Sequence, residues 1–88
     1  MTDASRIKRL KFRAWHRGTR EADYMIGCFF DSHHPTWGEQ QLAWFEALID
    51  EEDVEIMAWA LGTMTVPAKY AGPMMSDFQK LDFVEIPR

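Results

Sequence analysis

The sequence predicts an all-α fold, a small single-domain bundle of five short helices. Apolar residues recur at helical spacing in five segments, glycine and proline separate several of those segments, and no alternating apolar–polar run is long enough for a strand. Eighty-eight residues suffice for one domain, with a folded core over about residues 6–83 and a loose tail over 84–88. Because 47% of the residues are hydrophobic, the chain is expected to fold rather than stay disordered.

The first two helices are predicted over residues 6–17 and 20–32. Ser5 is the expected N-cap of the first helix. Its apolar face is formed by small and aliphatic residues and widened by two aromatic ones: Ile7, Leu10 and Ala14, with Phe12 and Trp15. The second helix carries a broader apolar stripe and ends before Pro35; the stripe contains Ala22, Met25, Ile26, Phe29 and Phe30.

Three more helices are predicted over residues 37–49, 51–61 and 74–83. Thr36 and Glu39 have the spacing of a capping box at the start of the third helix. The acidic run 50–53 ends that helix and suits the positive start of the fourth. The fourth helix is expected to turn Val54 and Leu61 inward and to end at Gly62. Residues 63–73, which contain two prolines, are expected to form an extended connection.

Cysteine content and hydropathy bear on compartment. Cys28 is the one cysteine of the sequence, so an internal disulfide is excluded. No run of about 18 apolar residues is present, so no membrane insertion is expected. The N-terminus lacks an apolar signal core. These features predict a soluble, cytoplasmic protein.

The formal net charge of −4 conceals a strong asymmetry along the chain. Residues 1–20 hold seven of the ten basic residues and one acidic residue, a net charge of +6. Residues 21–88 hold three basic and thirteen acidic residues, a net charge of −10. This division predicts either an anionic partner for the N-terminal segment or ion pairs between the helices of the bundle.

Charge is densest in the stretch that connects the first two helices, residues 16–23, which we call the joint. Six residues are candidates for a contact surface there: His16, Arg17, Gly18, Arg20, Glu21 and Asp23. One interpretation is structural, with Gly18 as N-cap of the second helix and Glu21 as its third residue. It leaves Arg17, Arg20 and Asp23 without a structural role, and an exposed joint with charges of both signs suits recognition of a polar protein surface. The residues alone leave the two interpretations about even.

Motifs for catalysis are missing from the sequence. No phosphate-binding glycine loop is present, and Cys28 beside Phe29-Phe30 is expected to be buried rather than nucleophilic. Adjacent His33 and His34 do not share a helix face, so a metal site is not expected there. The acidic run 50–53 lacks the spacing of a calcium loop. We therefore expect no catalytic residue, no metal site and no enzymatic activity.

The joint also carries a family resemblance. Arg17-Gly18-x-x-Glu21 resembles the Arg-Gly-x-x-Glu motif of the succinate dehydrogenase flavinylation factor family (SdhE, also known as succinate dehydrogenase assembly factor two). Residues 9–13, Asp23, Phe29-Phe30 and Trp59 are similar to residues that this family has in the same places. The resemblance extends over about residues 6–83.

This resemblance implies a five-helix assembly factor that is a monomer when free and holds no cofactor stably. Family members bind the flavoprotein subunit of succinate dehydrogenase, and in bacteria also that of fumarate reductase, and promote covalent attachment of FAD to it. Carried over, Arg17, Gly18 and Glu21 would form the centre of the binding face. His16, Arg20 and Asp23 would be their neighbours, and Trp59 would belong to the core, the interface or both.

One alternative function stays open from the sequence. The basic N-terminal helix could serve a small regulatory or nucleic-acid-binding module of the antitoxin type, because phosphate contacts need little more than clustered cations. The acidic remainder of the chain opposes this hypothesis, since it would repel a polyanion. The favoured interpretation includes no nucleic-acid partner.

Overall fold

The structure, a computed structural model, describes residues 4–83 and contains within them five α-helices and no strand. The predicted all-α fold is therefore confirmed. The helices are α1 (Ala4–Trp15), α2 (Arg20–His33), α3 (Glu39–Leu48), α4 (Asp53–Leu61) and α5 (Pro73–Lys80). The predicted loose tail, 84–88, lies outside the described residues. None of the five helices is long and apolar enough to cross a bilayer.

Helix α1 starts earlier and stops earlier than the prediction. It begins at Ala4, so Ser5 lies inside the helix and the prediction that it is the N-cap was wrong. It ends at Trp15 rather than at residue 17, and Gly18 follows with a φ of +130°. His16 closes the end of α1 through its Nδ1, which donates to the carbonyl oxygen of Phe12 at 2.7 Å.

The N-cap of α2 is Thr19, not Gly18 as predicted. Thr19 has extended backbone angles, and its hydroxyl accepts a hydrogen bond from the amide of Ala22 at 3.2 Å. Glu21 is thus the second residue of α2 and closes no capping box. The polar cap that Thr19 provides frees Gly18 and Glu21 from the structural roles the sequence suggested.

The start of α3 also differs from the prediction. Its N-cap is Gly38, whose amide donates to the Gln41 side chain at 3.0 Å. The hydroxyl of Thr36 instead donates to the carbonyl of His33, inside a 3₁₀ turn that follows α2. A glycine N-cap with a glutamine three residues later replaces the predicted threonine–glutamate pair.

The segment between α4 and α5 is less extended than expected. Gly62 ends α4 in the left-handed conformation, as predicted, with a φ of +78°. A 3₁₀ turn over Ala68–Tyr70 then buries the ring of Tyr70, whose hydroxyl donates to Glu51 at 2.6 Å. Helix α5 ends at Lys80 rather than at residue 83, because Leu81 takes a positive φ.

The core is built around α2. Phe29 lies with its ring centroid 4.9 Å from that of Phe78, and Phe30 lies 5.1 Å from Phe45. Trp59 is 3% exposed and therefore belongs to the core. Aromatic residues from α2, α3, α4 and α5 thus converge on one apolar centre, which holds the bundle together mainly through burial.

Three apolar residues expected to face inward are exposed. Val54 and Leu61 are 72% and 57% exposed, because α4 buries the alternative face formed by Ile56, Trp59 and Ala60. Helix α4 is apolar on most sides, so periodicity did not determine which face the larger Trp59 ring would occupy. Phe12 is 63% exposed and does not widen the core face of α1.

Candidate functional site

The joint between α1 and α2 is held from inside by Arg17. Its guanidinium group donates to the carbonyl oxygens of Ile49 at 2.7 Å and Glu51 at 3.2 Å, and its Nε donates to Asp53 at 2.8 Å. The side chain is only 10% exposed. Arg17 therefore ties the joint to the end of α3 and the start of α4.

These contacts satisfy groups that would otherwise lack partners. Ile49 is the C-cap of α3, where carbonyl oxygens have no partner within the helix and where a cation favours the helix dipole. Asp53 begins α4 and pairs with the same guanidinium group. One side chain from the joint thus links three segments of the bundle, a structural role that the sequence did not reveal.

Asp23 also works inside the joint. One of its carboxylate oxygens accepts a hydrogen bond from the backbone amide of Arg17 at 2.6 Å. Together with the Thr19 cap, this bond fixes the path of the chain around Gly18. The positive φ of Gly18 disfavours any residue with a side chain, even though an added Cβ would meet only Asp53, at 4.0 Å.

The outer side of the joint is an open groove of about 630 Å³. Four of the six candidate residues line it, together with three residues that the sequence analysis did not single out for the site: His16, Gly18, Arg20 and Asp23, with Trp15, Thr19 and Tyr24. Arg17 and Glu21 are not in its lining. The structure therefore brings four of the six residues together around the groove and leaves Arg17 and Glu21 outside its lining.

The remaining charges of the joint are free for a partner. Arg20 and Glu21 are both exposed, and their side chains have no hydrogen-bond, ionic or ring partner among residues 4–83. They are adjacent at the start of α2, with opposite charges. A protein surface that offers an acceptor and a donor could pair with both of them.

Trp15 forms the aromatic wall of the groove. Its ring packs on Gly27, where an added Cβ would lie 2.4 Å from two ring atoms, and its Nε1 donates to Asp31 at 3.2 Å. Tyr24 meets Trp15 edge to face, with ring centroids 6.1 Å apart. Gly27 therefore lets α1 approach α2 closely, and a glycine within α2 together with a large aromatic residue at the end of α1 was the signal that could have identified this contact.

The other N-terminal cations are mostly used within the bundle. Arg6 pairs with Glu39 and Glu46, and these two carboxylates hold the pKa of Arg6 above its ordinary value. Three further pairs link this segment to later helices and loops: Lys11 with Asp31, Arg13 with Asp50, and Arg17 with Asp53. The asymmetry of charge along the chain thus largely reflects ion pairs between helices, which weakens the nucleic-acid hypothesis.

A metal or nucleophilic centre is not formed by the described part of the chain. Among residues 4–83 no group of three or more histidine, cysteine, aspartate or glutamate side chains could hold a metal ion. Cys28 is half-buried and unpaired. What the joint offers chemically is binding: a groove with one aromatic wall, an exposed glycine and charges of both signs.

Comparison with known proteins gives a consistent result. Residues 8–82 match a family model described as "Flavinator of succinate dehydrogenase". The chain is 39% identical over 72 residues to "FAD assembly factor SdhE" of Acetobacter pasteurianus, covering 82% of this chain and 66% of that protein. It is 30% identical over 73 residues to "Succinate dehydrogenase assembly factor 2, mitochondrial" of Cryptococcus neoformans, covering 82% of this chain and 42% of the relative.

A second fungal relative is similar over a shorter stretch. The chain is 30% identical over 67 residues to the protein of the same name from Mycosarcoma maydis, covering 76% of this chain and 28% of that protein. The chain thus spans about two thirds of the bacterial relative and less than half of the fungal ones. No solved structure matches. The relatives are named as assembly factors rather than as enzymes, as the sequence analysis expected for this chain.

Proposed function

The chain belongs to the family of succinate dehydrogenase flavinators, and on that premise we propose that it binds the flavoprotein subunit of succinate dehydrogenase and promotes covalent attachment of FAD to it. The observation that carries this proposal is the pair of exposed charges beside an open groove, Arg20 and Glu21, which have no partner in the described part of the chain. The flavoprotein subunit of fumarate reductase is a second partner of the same kind.

The proposed mechanism is a change in the partner's conformational equilibrium. A factor that binds an attachment-ready conformation more tightly than the others raises the population of that conformation. Arg20 and Glu21 would pair with opposite charges of the subunit, and the groove would receive a projecting side chain against the rings of Trp15 and Tyr24. Gly18 would let the partner's backbone come close, because it has no side chain.

Arg17 has a different part in this proposal. Three of its five N–H donors bond to Ile49, Glu51 and Asp53 and its side chain is only 10% exposed, so we assign it the role of positioning the joint rather than touching the partner. His16 and Asp23 contribute to the groove wall, and Asp23 also fixes the loop through the Arg17 amide. The factor is proposed to act as a monomer in the cytoplasm and to hold no FAD itself.

Deleting the gene tests the proposal. We expect the succinate dehydrogenase flavoprotein of the deletion strain to lose its covalent flavin, measured as ultraviolet fluorescence of its band in a denaturing gel. Reintroducing the wild-type gene should restore the fluorescence, and a Glu21→Ala variant should restore it only in part. Unchanged fluorescence in the deletion strain would refute the proposed function.

A further inference from the structure

The five cations of α1 divide into three that have a carboxylate partner and two that have none among residues 4–83. Arg6, Lys11 and Arg13 each pair with a carboxylate of a later segment. Lys8 and Arg9 are exposed and have no ionic partner among residues 4–83. Because the acidic remainder of the chain already neutralises the other three, Lys8 and Arg9 stand out as charges available to another molecule.

An exposed aromatic ring, that of Phe12, lies on the same side of α1 as Lys8 and Arg9. Phe12 follows Lys8 by four residues and Arg9 by three, so all three are neighbours on the helix surface. Its side chain is 63% exposed, and its ring stacks on that of His16 with centroids 4.0 Å apart. A phenylalanine left in water loses the gain from burial, which a partner would restore.

This surface continues into the groove at the joint. His16 stacks on Phe12 on one side and lines the groove with Arg20 on the other. The cationic–aromatic face, formed by Lys8, Arg9, Phe12 and His16, is therefore contiguous with the proposed docking site. A molecule seated in the groove is well placed to reach along α1.

We propose that the cationic–aromatic face binds an acidic protein segment that carries an apolar side chain for Phe12. Resting on the proposed function, we assign this segment to the same flavoprotein subunit that occupies the groove. Lys8 and Arg9 would pair with carboxylates of the segment, and charge complementarity of this kind acts mainly on association rate and specificity. The contact along α1 would thereby add to the recognition provided by Arg20 and Glu21.

Charge argues for a protein rather than a nucleic acid on this face. Among the described residues this face offers two unpaired cations, which are few for a polyanion whose binding strength comes from neutralising many phosphates. The flanking cations of α1 are already paired, Lys11 with Asp31 and Arg13 with Asp50, so they are not available to neutralise further phosphates. An acidic segment of limited length needs only the two cations and the ring.

The first experiment needs no natural partner. A short peptide of alternating glutamate and leucine is titrated into the isotope-labelled chain, and amide chemical shifts are followed by NMR. We expect shifts concentrated at Lys8, Arg9 and Phe12, and about tenfold weaker binding in a Lys8→Glu/Arg9→Glu variant. No saturable shift at α1, or equal binding by the variant, would overturn the proposal. So would a single-stranded oligonucleotide that binds this face more tightly than the peptide at physiological salt.

The second experiment uses the flavoprotein subunit. At low salt, Lys8→Glu/Arg9→Glu should associate with the subunit about tenfold more slowly than wild type, and the difference should shrink as salt is added. Lys69→Glu/Lys80→Glu is the control for net charge, which it changes equally away from α1. Because these lysines pair with Glu51 and Asp77, its unfolding free energy is measured alongside to show that the control is folded. Equal rates for wild type and the α1 variant would refute assignment of the segment to this subunit. If the wild-type chain does not bind the subunit, the proposed function is refuted. The peptide titration would then still test whether the cationic–aromatic face binds an acidic segment.

Discussion

The inner and outer sides of the α1–α2 joint use similar residues for different purposes. On the inner side, the Arg17 side chain is 10% exposed and holds the ends of α3 and α4 through three hydrogen bonds. On the outer side, Arg20 is exposed and has no partner among the described residues. Two arginines three positions apart therefore have different roles: Arg17 stabilises the fold, and Arg20, as we propose, binds the partner. A sequence motif that spans both sides does not by itself indicate which residue stabilises the fold and which binds a partner.

The largest expected effect is on the inner side. Arg17→Ala should lower the free energy of unfolding by about 3 kcal/mol, because it leaves a partly buried Asp53 and two carbonyl oxygens without their donor. Urea denaturation followed by circular dichroism measures it. Arg20→Ala is the matched control and should change stability by less than about 0.5 kcal/mol. Equal losses in the two variants would remove the distinction between the sides.

A smaller loss is expected where the two sides meet. Gly18→Ala should cost about 1–2 kcal/mol, because the φ of +130° disfavours a Cβ although the space around it is open. Gly38→Ala is the comparison variant at an ordinary φ of −92°. Its loss should be smaller than that of Gly18→Ala and should come from the N-cap preference and from a Cβ 3.3 Å from Gln41. Thermal or urea unfolding measures both variants. If Gly18→Ala were as stable as wild type, the joint would not depend on this backbone conformation.

Ion pairs away from the groove should make stability depend on pH. A hydrogen bond from Arg6 lowers the pKa of Glu39, and hydrogen bonds from Tyr70 and Lys69 lower the pKa of Glu51. These contributions are present above the ordinary carboxyl pKa of about 4.3 and are lost as pH falls through the lowered folded values. Urea midpoints measured at decreasing pH should fall, and Glu39→Gln should flatten part of that fall. A constant midpoint on acidification would contradict these pairings.

At alkaline pH the stability should fall as pH rises, because two groups have pKa values that are raised in the folded state. Burial and the hydrogen bond to Glu51 raise the pKa of Tyr70, and Glu51 also raises the pKa of Lys69. Stability from both groups is present below their ordinary values, near 10, and is lost as pH rises through the raised folded values. Tyr70→Phe should weaken this alkaline loss. A midpoint unchanged above about pH 10 would contradict the assignment.

Sequence periodicity predicted the fold well where side chains are large and patterned. Of the predicted stripe of α2, Ala22, Ile26, Phe29 and Phe30 are buried and Met25 is half-buried, because 3.6-residue spacing leaves that helix one apolar face. It failed for α4, where apolar residues surround the helix and Val54 faces water. Local capping rules also failed at Gly18 and Thr36, because Thr19 accepts the Ala22 amide at the start of α2 and the Thr36 hydroxyl donates to His33 instead of capping α3.

The sequence indicated which residues lie at the joint but not what each of them contacts. Its six residues gather at one joint, but long-range contacts decide their individual roles, and those contacts depend on how α3 and α4 return to the joint. Nothing near Arg17 in the sequence indicates that Ile49 and Asp53 will receive its donors. Trp15 and Tyr24 were missed because single aromatic residues at helical spacing look like core residues.

The most direct test of the central claim is the affinity of the flavoprotein subunit for Glu21→Ala and for Arg20→Ala. The unfolding free energy of each variant is measured as a reference. We expect both variants to stay within about 0.5 kcal/mol of wild-type stability and to lose at least about tenfold in affinity, equivalent to 1.4 kcal/mol of binding free energy. Wild-type affinity in both variants would contradict the account. So would a loss of affinity that merely follows a loss of folding, because the outer side would then serve the fold as the inner side does.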